Sequence, residues 1–267
     1  MTVISVNNAS VTAYGKALLS NIELTADAGE IIAILGPNGA GKTSLLNTIS
    51  GEMAPSSGTS TFLEMAPANW ENRALAKQMA VLPQFSLLSF PFSVEEVVRL
   101  GRTPHDTGQV RDREISLQCL DRLDASHLRH RLYTELSGGE RQRVQLARVL
   151  SQIWCDETSP IAKQRCLLLD EPTAALDLAL RAKVLTVLRE FARNGCAIIL
   201  VLHDFNLAAQ YADRLILLHQ GSSMAHGTAQ DVLTAENIKE VFNVDAHIID
   251  HPDNGRPVVV PSMGLVE

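Results

Sequence analysis

The chain has 267 residues, 46% of them hydrophobic and 20% charged, which excludes a disordered polymer and suffices for one large domain or two lobes with a sizeable core. Its formal net charge of -7 argues against a broad nucleic-acid surface, because neutralising phosphates takes clustered Lys and Arg. Cys119, Cys155, Cys166 and Cys196 show no C-x-x-C spacing, so neither a zinc site nor a disulfide framework is predicted, and reduced thiols in a cytoplasmic setting are expected.

In chain order, the start "MTVISVNNASVTAY" lacks a basic segment followed by a long apolar core. No apolar run approaches the ~20 residues that a membrane-spanning helix needs, so a soluble chain that docks peripherally is expected. Apolar and polar residues alternate from Val3 to Leu24 around a turn at Tyr14-Gly15-Lys16, which predicts antiparallel strands. Three short apolar runs then end abruptly: Ile31 to Leu35 before Gly36, Leu167 to Leu169 before Asp170, and Ile198 to Leu202 before His203. Such runs predict strands buried on both faces of a parallel sheet, with helices over Lys42 to Ile49 and Ala179 to Arg193 supplying the alternation of an α/β fold. Ligands gather at the carboxyl ends of such strands, so the three run ends are expected along one edge. The stretch from Phe85 to Ile153 reads as an inserted helical lobe. Beyond it, "RLILLHQGSSMAHG" predicts a hairpin, "AQDVLTAENIKEVF" short helices, and "AHIIDHPDNGRPVVVP" two strands around a Pro-Asp-Asn-Gly turn.

Gly36-Pro37-Asn38-Gly39-Ala40-Gly41-Lys42-Thr43 matches G-x-x-x-x-G-K-[ST] in the setting that motif needs, after a strand and before a helix. Backbone amides of this loop are expected to wrap phosphates, Lys42 to reach the β and γ groups, Thr43 to offer a hydroxyl to Mg2+, and Ser44 to add a phosphate contact. Asp170 is placed to hold the Mg2+ shell, and Glu171 to orient and deprotonate an attacking water.

"TELSGGERQRVQLARVL", from Thr134 to Leu150, predicts a helix that starts oddly, at two of the poorest helix formers, Gly138 and Gly139. Ser137 and Glu140 fit a capping box. Leu146, Val149, Leu150 and Ile153 form the inward stripe, with Arg141, Arg143, Gln145 and Arg148 expected outward. From these residues two readings stand: an ordinary capped start, or bare amides at a helix N-terminus that seek a phosphate. Phe85, Phe90 and Phe92, three of the seven Phe, fit either the core of the helical lobe or a groove for a partner helix. His127 and His130, or His219 and His226, are read as surface or core residues rather than ligands.

"GPNGAGKTS", "LSGGERQ" (Leu136 to Gln142), "CLLLDEP", "AALD" and His203 stand in the order found in ABC transporter ATPases, and the chain resembles that family over nearly its whole length. The resemblance implies ATP and Mg2+ as ligands. It makes Gln84 in "VLPQ" the sensor of γ-phosphate and metal, Tyr14 the aromatic that stacks on adenine, Asp177 the D-loop aspartate and His203 the switch histidine. Ser137, Gly138 and Gly139 then serve nucleotide bound to a second copy, in a head-to-tail homodimer. The implied fold is a P-loop NTPase of ABC type in one domain, 1–267. Its nucleotide-binding core with antiparallel strands spans 1–84 and 163–225, its helical subdomain 85–162, and its C-terminal helices and hairpin 226–267. A GTPase is disfavoured by the missing N-K-x-D motif, and a regulatory module without turnover by the presence of Glu171 and His203.

The implied partners are two transmembrane permease subunits. "VEEVVRLGRTPH" is similar to ATPases of importers for iron-siderophore complexes, cobalamin and haem. Within that group, "SQIWCDETSPIAKQR" and "VFNVDAHIIDHPDNGRPVVVP" resemble the haem branch, which implies the cytoplasmic face of a Gram-negative inner membrane and a periplasmic haem-binding protein reached through the permease. Siderophore or cobalamin uptake is the alternative.

Overall fold

Alternation in the N-terminal stretch produces a strand pair. The computed structural model describes residues 1–13, 15–84, 88–155 and 161–262, and in it β1 (Thr2–Ala13) pairs antiparallel with β2 (Lys16–Asp27). The next run, β3 (Ile31–Leu35), is buried at every position and leads into α1 (Lys42–Ser50). β4 (Ser57–Phe62) returns to β1 and completes a sheet of order β2-β1-β4. Then come α2 (Asn72–Gln78), capped by the Glu71 carboxylate on the amides of Arg73 and Ala74, and β5 (Met79–Leu82). Helices α3 (Val94–Arg99), α4 (Gln109–Arg122) and α5 (Gly138–Gln152) form the expected helical insertion.

The chain returns to the main sheet with β6 (Cys166–Asp170), α6 (Leu178–Arg193), β7 (Ala197–Val201), α7 (Phe205–Tyr211), β8 (Arg214–His219) and β9 (Ser222–Gly227). It closes with α8 (Ala229–Val232), α9 (Ala235–Phe242) and the antiparallel pair β10 (Ala246–Asp250) and β11 (Pro257–Pro261). Strand order in the main sheet is β5-β6-β7-β3-β8-β9, parallel except for β9. Val201 pairs with Asp170 on one side and with Ile34 on the other. The carboxyl ends of β3, β6 and β7 therefore meet in one row, as the three apolar runs predicted.

Burial on both faces follows the strand period of two. Ala33, Leu35, Leu167, Leu169, Ile198 and Leu200 join the core shared with the helical insertion. Their alternates Ile32, Ile34, Leu168, Ile199 and Val201 pack with α1 and the antiparallel sheet. Each of the Val, Leu and Ile side chains among them contributes about 1.5–3 kcal/mol on burial.

One expectation is corrected. Arg143 and Gln145 do not point outward: they are 7% and 3% exposed, and Arg148 is half-buried. Helix α5 packs against α3 and α4, so its buried arc is wider than the aliphatic stripe, and the polar heads are satisfied inside it. Arg143 Nη1 donates to the carbonyls of Leu123, at 3.3 Å, and Asp124, where α4 ends. Gln145 Nε2 donates to the Tyr133 hydroxyl at 2.9 Å, and Arg148 Nε to Gln145 Oε1 at 2.7 Å. Arg141 is exposed, as expected.

Phe90 and Phe92 are 66% and 37% exposed, with ring centroids 6.1 Å apart, which removes the core reading for both; Phe85 lies outside the described residues. His127 and His130 are exposed. Among the described residues, no group of three or more His, Cys, Asp or Glu is arranged to hold a metal ion, and no helix is long and apolar enough to cross a membrane.

Candidate active site

The loop from Gly36 to Gly41 joins β3 to α1 and leaves the helix start open. Gly41 is the N-cap at φ +100° with no side-chain cap, and a Cβ there would lie 2.8 Å from the Leu18 carbonyl oxygen. Only glycine fits both demands. Asn38 and Gly39 are exposed, Pro37 half-buried, and Gly36 and Ala40 buried. Uncapped amides and the positive end of the helix dipole make this start an anion site.

Lys42 is 7% exposed, and its ammonium donates to the carbonyls of Gly36 and Pro37 at 2.8 and 2.9 Å. Burial lowers its pKa, opposed by the charges of Glu171 and Asp170. Thr43 Oγ1 donates to Asp170 Oδ2 at 2.7 Å. Burial pushes the Asp170 carboxyl above the usual range; the Thr43 hydrogen bond opposes this, and the neighbouring Glu171 adds to it. A buried carboxylate of this kind calls for a cation.

Glu171 follows Asp170 but turns away from the strand, with φ +52°, a left-handed conformation that costs a non-glycine residue about 1–2 kcal/mol. The turn aims its carboxylate at two side chains: Gln84 Nε2 donates to Glu171 Oε1 at 2.9 Å, and His203 Nε2 lies 2.6 Å from the same oxygen. Gln84 follows β5, and His203 follows β7. Strands β5, β6 and β7 are neighbours, so the sheet order itself brings the three together.

A cleft of about 550 Å3 opens on this edge, lined by the phosphate loop from Asn38 to Ser44, by Gln84 and Glu171, and by Leu18, Gln220 and Gly221. Nothing in the sequence pattern marked Gln220 or Leu18; the hairpin and the β2 strand bring them there. Tyr14 lies outside the described residues.

Ser137, Gly138, Gly139 and Asp177 do not line this cleft. Ser137 and Glu140 form the predicted capping box at the start of α5, with the Glu140 carboxylate on the Ser137 amide at 2.7 Å. A Cβ on Gly139 would lie 2.8 Å from the Ala175 carbonyl oxygen, whereas one on Gly138 would meet only the Ala175 methyl at 4.0 Å. Asp177 is the N-cap of α6 and accepts from the Leu180 amide at 2.9 Å.

A phosphate loop, a buried carboxylate on the Thr43 hydroxyl and a second carboxylate between a glutamine and a histidine define a nucleotide-binding ATPase site. A profile of the ABC transporter family matches residues 19–174, and the chain belongs to that family as an ATP-binding subunit. It is 46% identical over 258 residues to the hemin import ATP-binding protein HmuV of Pseudomonas fluorescens, covering 97% of this chain and 99% of that protein. Identity to the protein of the same name from Gloeobacter violaceus is 49% over 249 residues, covering 92% and 90%. Among solved structures, an inward-facing transporter described as of metal-chelate type superposes with TM-score 0.79 at 27% identity, covering 98% of both chains. A bacterial ABC transporter cassette in dimeric form gives TM-score 0.73 at 26% identity, covering 85% of this chain and 98% of that one.

Proposed function

We propose that this chain hydrolyses ATP to drive haemin import, as one of two identical ATPase subunits on the cytoplasmic face of a bacterial inner membrane. The observation that carries the enzymatic half is the Glu171 carboxylate, held by Gln84 and His203 beside the phosphate loop. In this reading the loop amides from Gly36 to Gly41, with Lys42 and Ser44, grip the phosphates, and Tyr14 stacks on adenine. Glu171 takes a proton from water as the water oxygen attacks the γ-phosphorus; the bond from that phosphorus to the β–γ bridging oxygen breaks, and ADP and phosphate leave. His203 hydrogen-bonds the carboxylate and fixes its direction.

Thr43, Asp170 and Gln84 offer hard oxygen donors suited to Mg2+, and the 2.7 Å contact between Thr43 and Asp170 already points two of them at one spot. Bound by these residues, Mg2+ would supply neutralising charge to the phosphates.

The amides of Gly138 and Gly139, in the first turn of α5, have no acceptor among the described residues. We assign them, with Ser137 and Asp177, to the nucleotide of a second copy; the dimeric cassette among the solved relatives supports this arrangement. The subdomain division is proposed as 1–84 with 163–227, 85–162, and 228–267. The third junction sits after Gly227 because a cut at 225 would split β9.

Near-full-length identity to the two hemin import proteins supports the haemin half, with two permease subunits and a periplasmic haem-binding protein as partners. Siderophore or cobalamin uptake is the second reading, favoured by the superposition on a transporter of metal-chelate type. A host lacking this gene, grown on haemin as sole iron source, decides between them. Loss of growth rescued by wild type but not by Glu171→Gln supports haemin import; unimpaired growth, with no other haem system present, moves the second reading forward.

A further inference from the structure

The turn after β6 is held by contacts that the roles above do not use. Glu171 sits at φ +52°, a shape that persists only where the surroundings enforce it. Its carboxylate is taken by Gln84 and His203, but its carbonyl oxygen accepts from Gln142 Nε2 at 3.1 Å and from the Ala174 amide at 3.3 Å. Gln142 lies about one turn along α5 from Gly138. That same turn touches the loop again at Gly139, against the Ala175 carbonyl. The far end of the loop belongs to α6: Arg181 Nε donates to the Leu176 carbonyl at 2.7 Å, and Asp177 caps the helix. The near end, where the carboxylate is aimed, is bonded to α5 through Gln142.

We propose that Gln142 is a positioning residue: its amide holds the Glu171 main chain in the left-handed turn and ties that carboxylate to the first turn of α5. The proposal rests on reading Glu171 as the base and the α5 start as facing a second copy's nucleotide. A phosphate that draws on the first turn of α5 then shifts the base of that helix's own site, so the two sites of a dimer communicate through one side chain.

Two variants of the full chain test this. Gln142→Met keeps the length and removes the donor; Gln142→Glu keeps the shape and sets an acceptor against the carbonyl. Hydrogen exchange at the amides of Glu171 and of Thr173 to Leu176 is expected to rise in both, with the β3, β6 and β7 amides unchanged. ATP turnover is expected to fall by roughly ten- to a hundredfold in kcat, with KM and Tm held. Unchanged exchange, unchanged kcat, or a fall in kcat tracking a fall in Tm would overturn the proposal. The exchange readout needs no turnover. A wild-type chain that fails to hydrolyse ATP therefore refutes the reading of Glu171 as base, while raised exchange in the variants still supports the hold of Gln142 on the turn.

Discussion

Three helices of this chain start at glycines, α4 behind Gly108 among them, and the starts of α1 and α5 are built differently. At α1, Gly39 and Gly41 have φ of +78° and +100° and no side chain caps the helix, so the glycines serve the path of the loop and leave the amides open. At α5, Gly138 and Gly139 are in the helix itself, behind a capping box of Ser137 and Glu140. There Gly139 serves close approach, since the loop carrying Ala175 lies against it. Only Gly138 is left without a reason inside its own chain. The difference teaches that the α1 glycines answer to the path of their own loop, whereas a Cβ on Gly138 would meet nothing of its own chain nearer than 4.0 Å, which fits the proposed role toward a second copy.

Changes at the α1 end should be the most damaging. Glu171→Gln is expected to lower ATP turnover by about 10²–10⁴-fold with ATP binding kept, measured by phosphate release alongside nucleotide titration. Lys42→Ala should cost about 10²–10³-fold in turnover and weaken ATP binding as well.

The α5 end divides by residue. Gly138→Asp should abolish turnover in the dimer while leaving ATP affinity of the single chain unchanged, because a carboxylate there repels phosphate and its Cβ would touch only the Ala175 methyl, at 4.0 Å. Gly139→Ala should lower stability by about 1–3 kcal/mol through overpacking against Ala175, seen as a shift in urea midpoint at constant slope. If both variants lose only stability, the α5 start is structural and the contrast with α1 collapses.

Titration separates the ends more gently. Hydrogen bonds from Ser137 lower the pKa of Glu140 below its ordinary 4.5. The native state therefore binds fewer protons than the unfolded chain just below that value, and the contribution of the capping box, full above pH 4.5, is lost as pH falls toward the lowered value. Thermal melting should show an acid-side loss in wild type that Glu140→Gln lacks. Burial lowers the pKa of Lys42 from 10.5, so ATP affinity should fall as pH rises through that lowered value and stay level in any variant still binding through Lys42→Arg.

Much of this was legible in the sequence because a few residues carry unambiguous physics. Strands β3, β6 and β7 are short runs buried on both faces, and an eight-residue phosphate loop between strand and helix has few other uses. Helix α2 was not legible: none of its residues is fully buried and Leu75 alone of them packs against the core, too little to mark an apolar face, and β5 has only four residues. The burial of Arg143 and Gln145 depends on what α3 and α4 bring to them, which the periodicity of α5 does not contain. Nor does residue type reveal the left-handed backbone of Glu171, since glycine and asparagine, not glutamate, announce that conformation. Nor does the sequence show that Gln142 reaches the Glu171 carbonyl, a contact made across 29 residues.

The most direct test of the account mixes two impaired chains. Lys42→Ala has a failed phosphate loop and an intact α5 start; Gly138→Asp has the reverse. In a head-to-tail dimer of one of each, the Gly138→Asp phosphate loop faces the intact α5 start of the Lys42→Ala chain, and one whole site is rebuilt. Mixing should raise ATP hydrolysis well above the sum of what the two variants show alone. A mixture that forms dimers and shows no more than that sum would contradict a site shared between two copies.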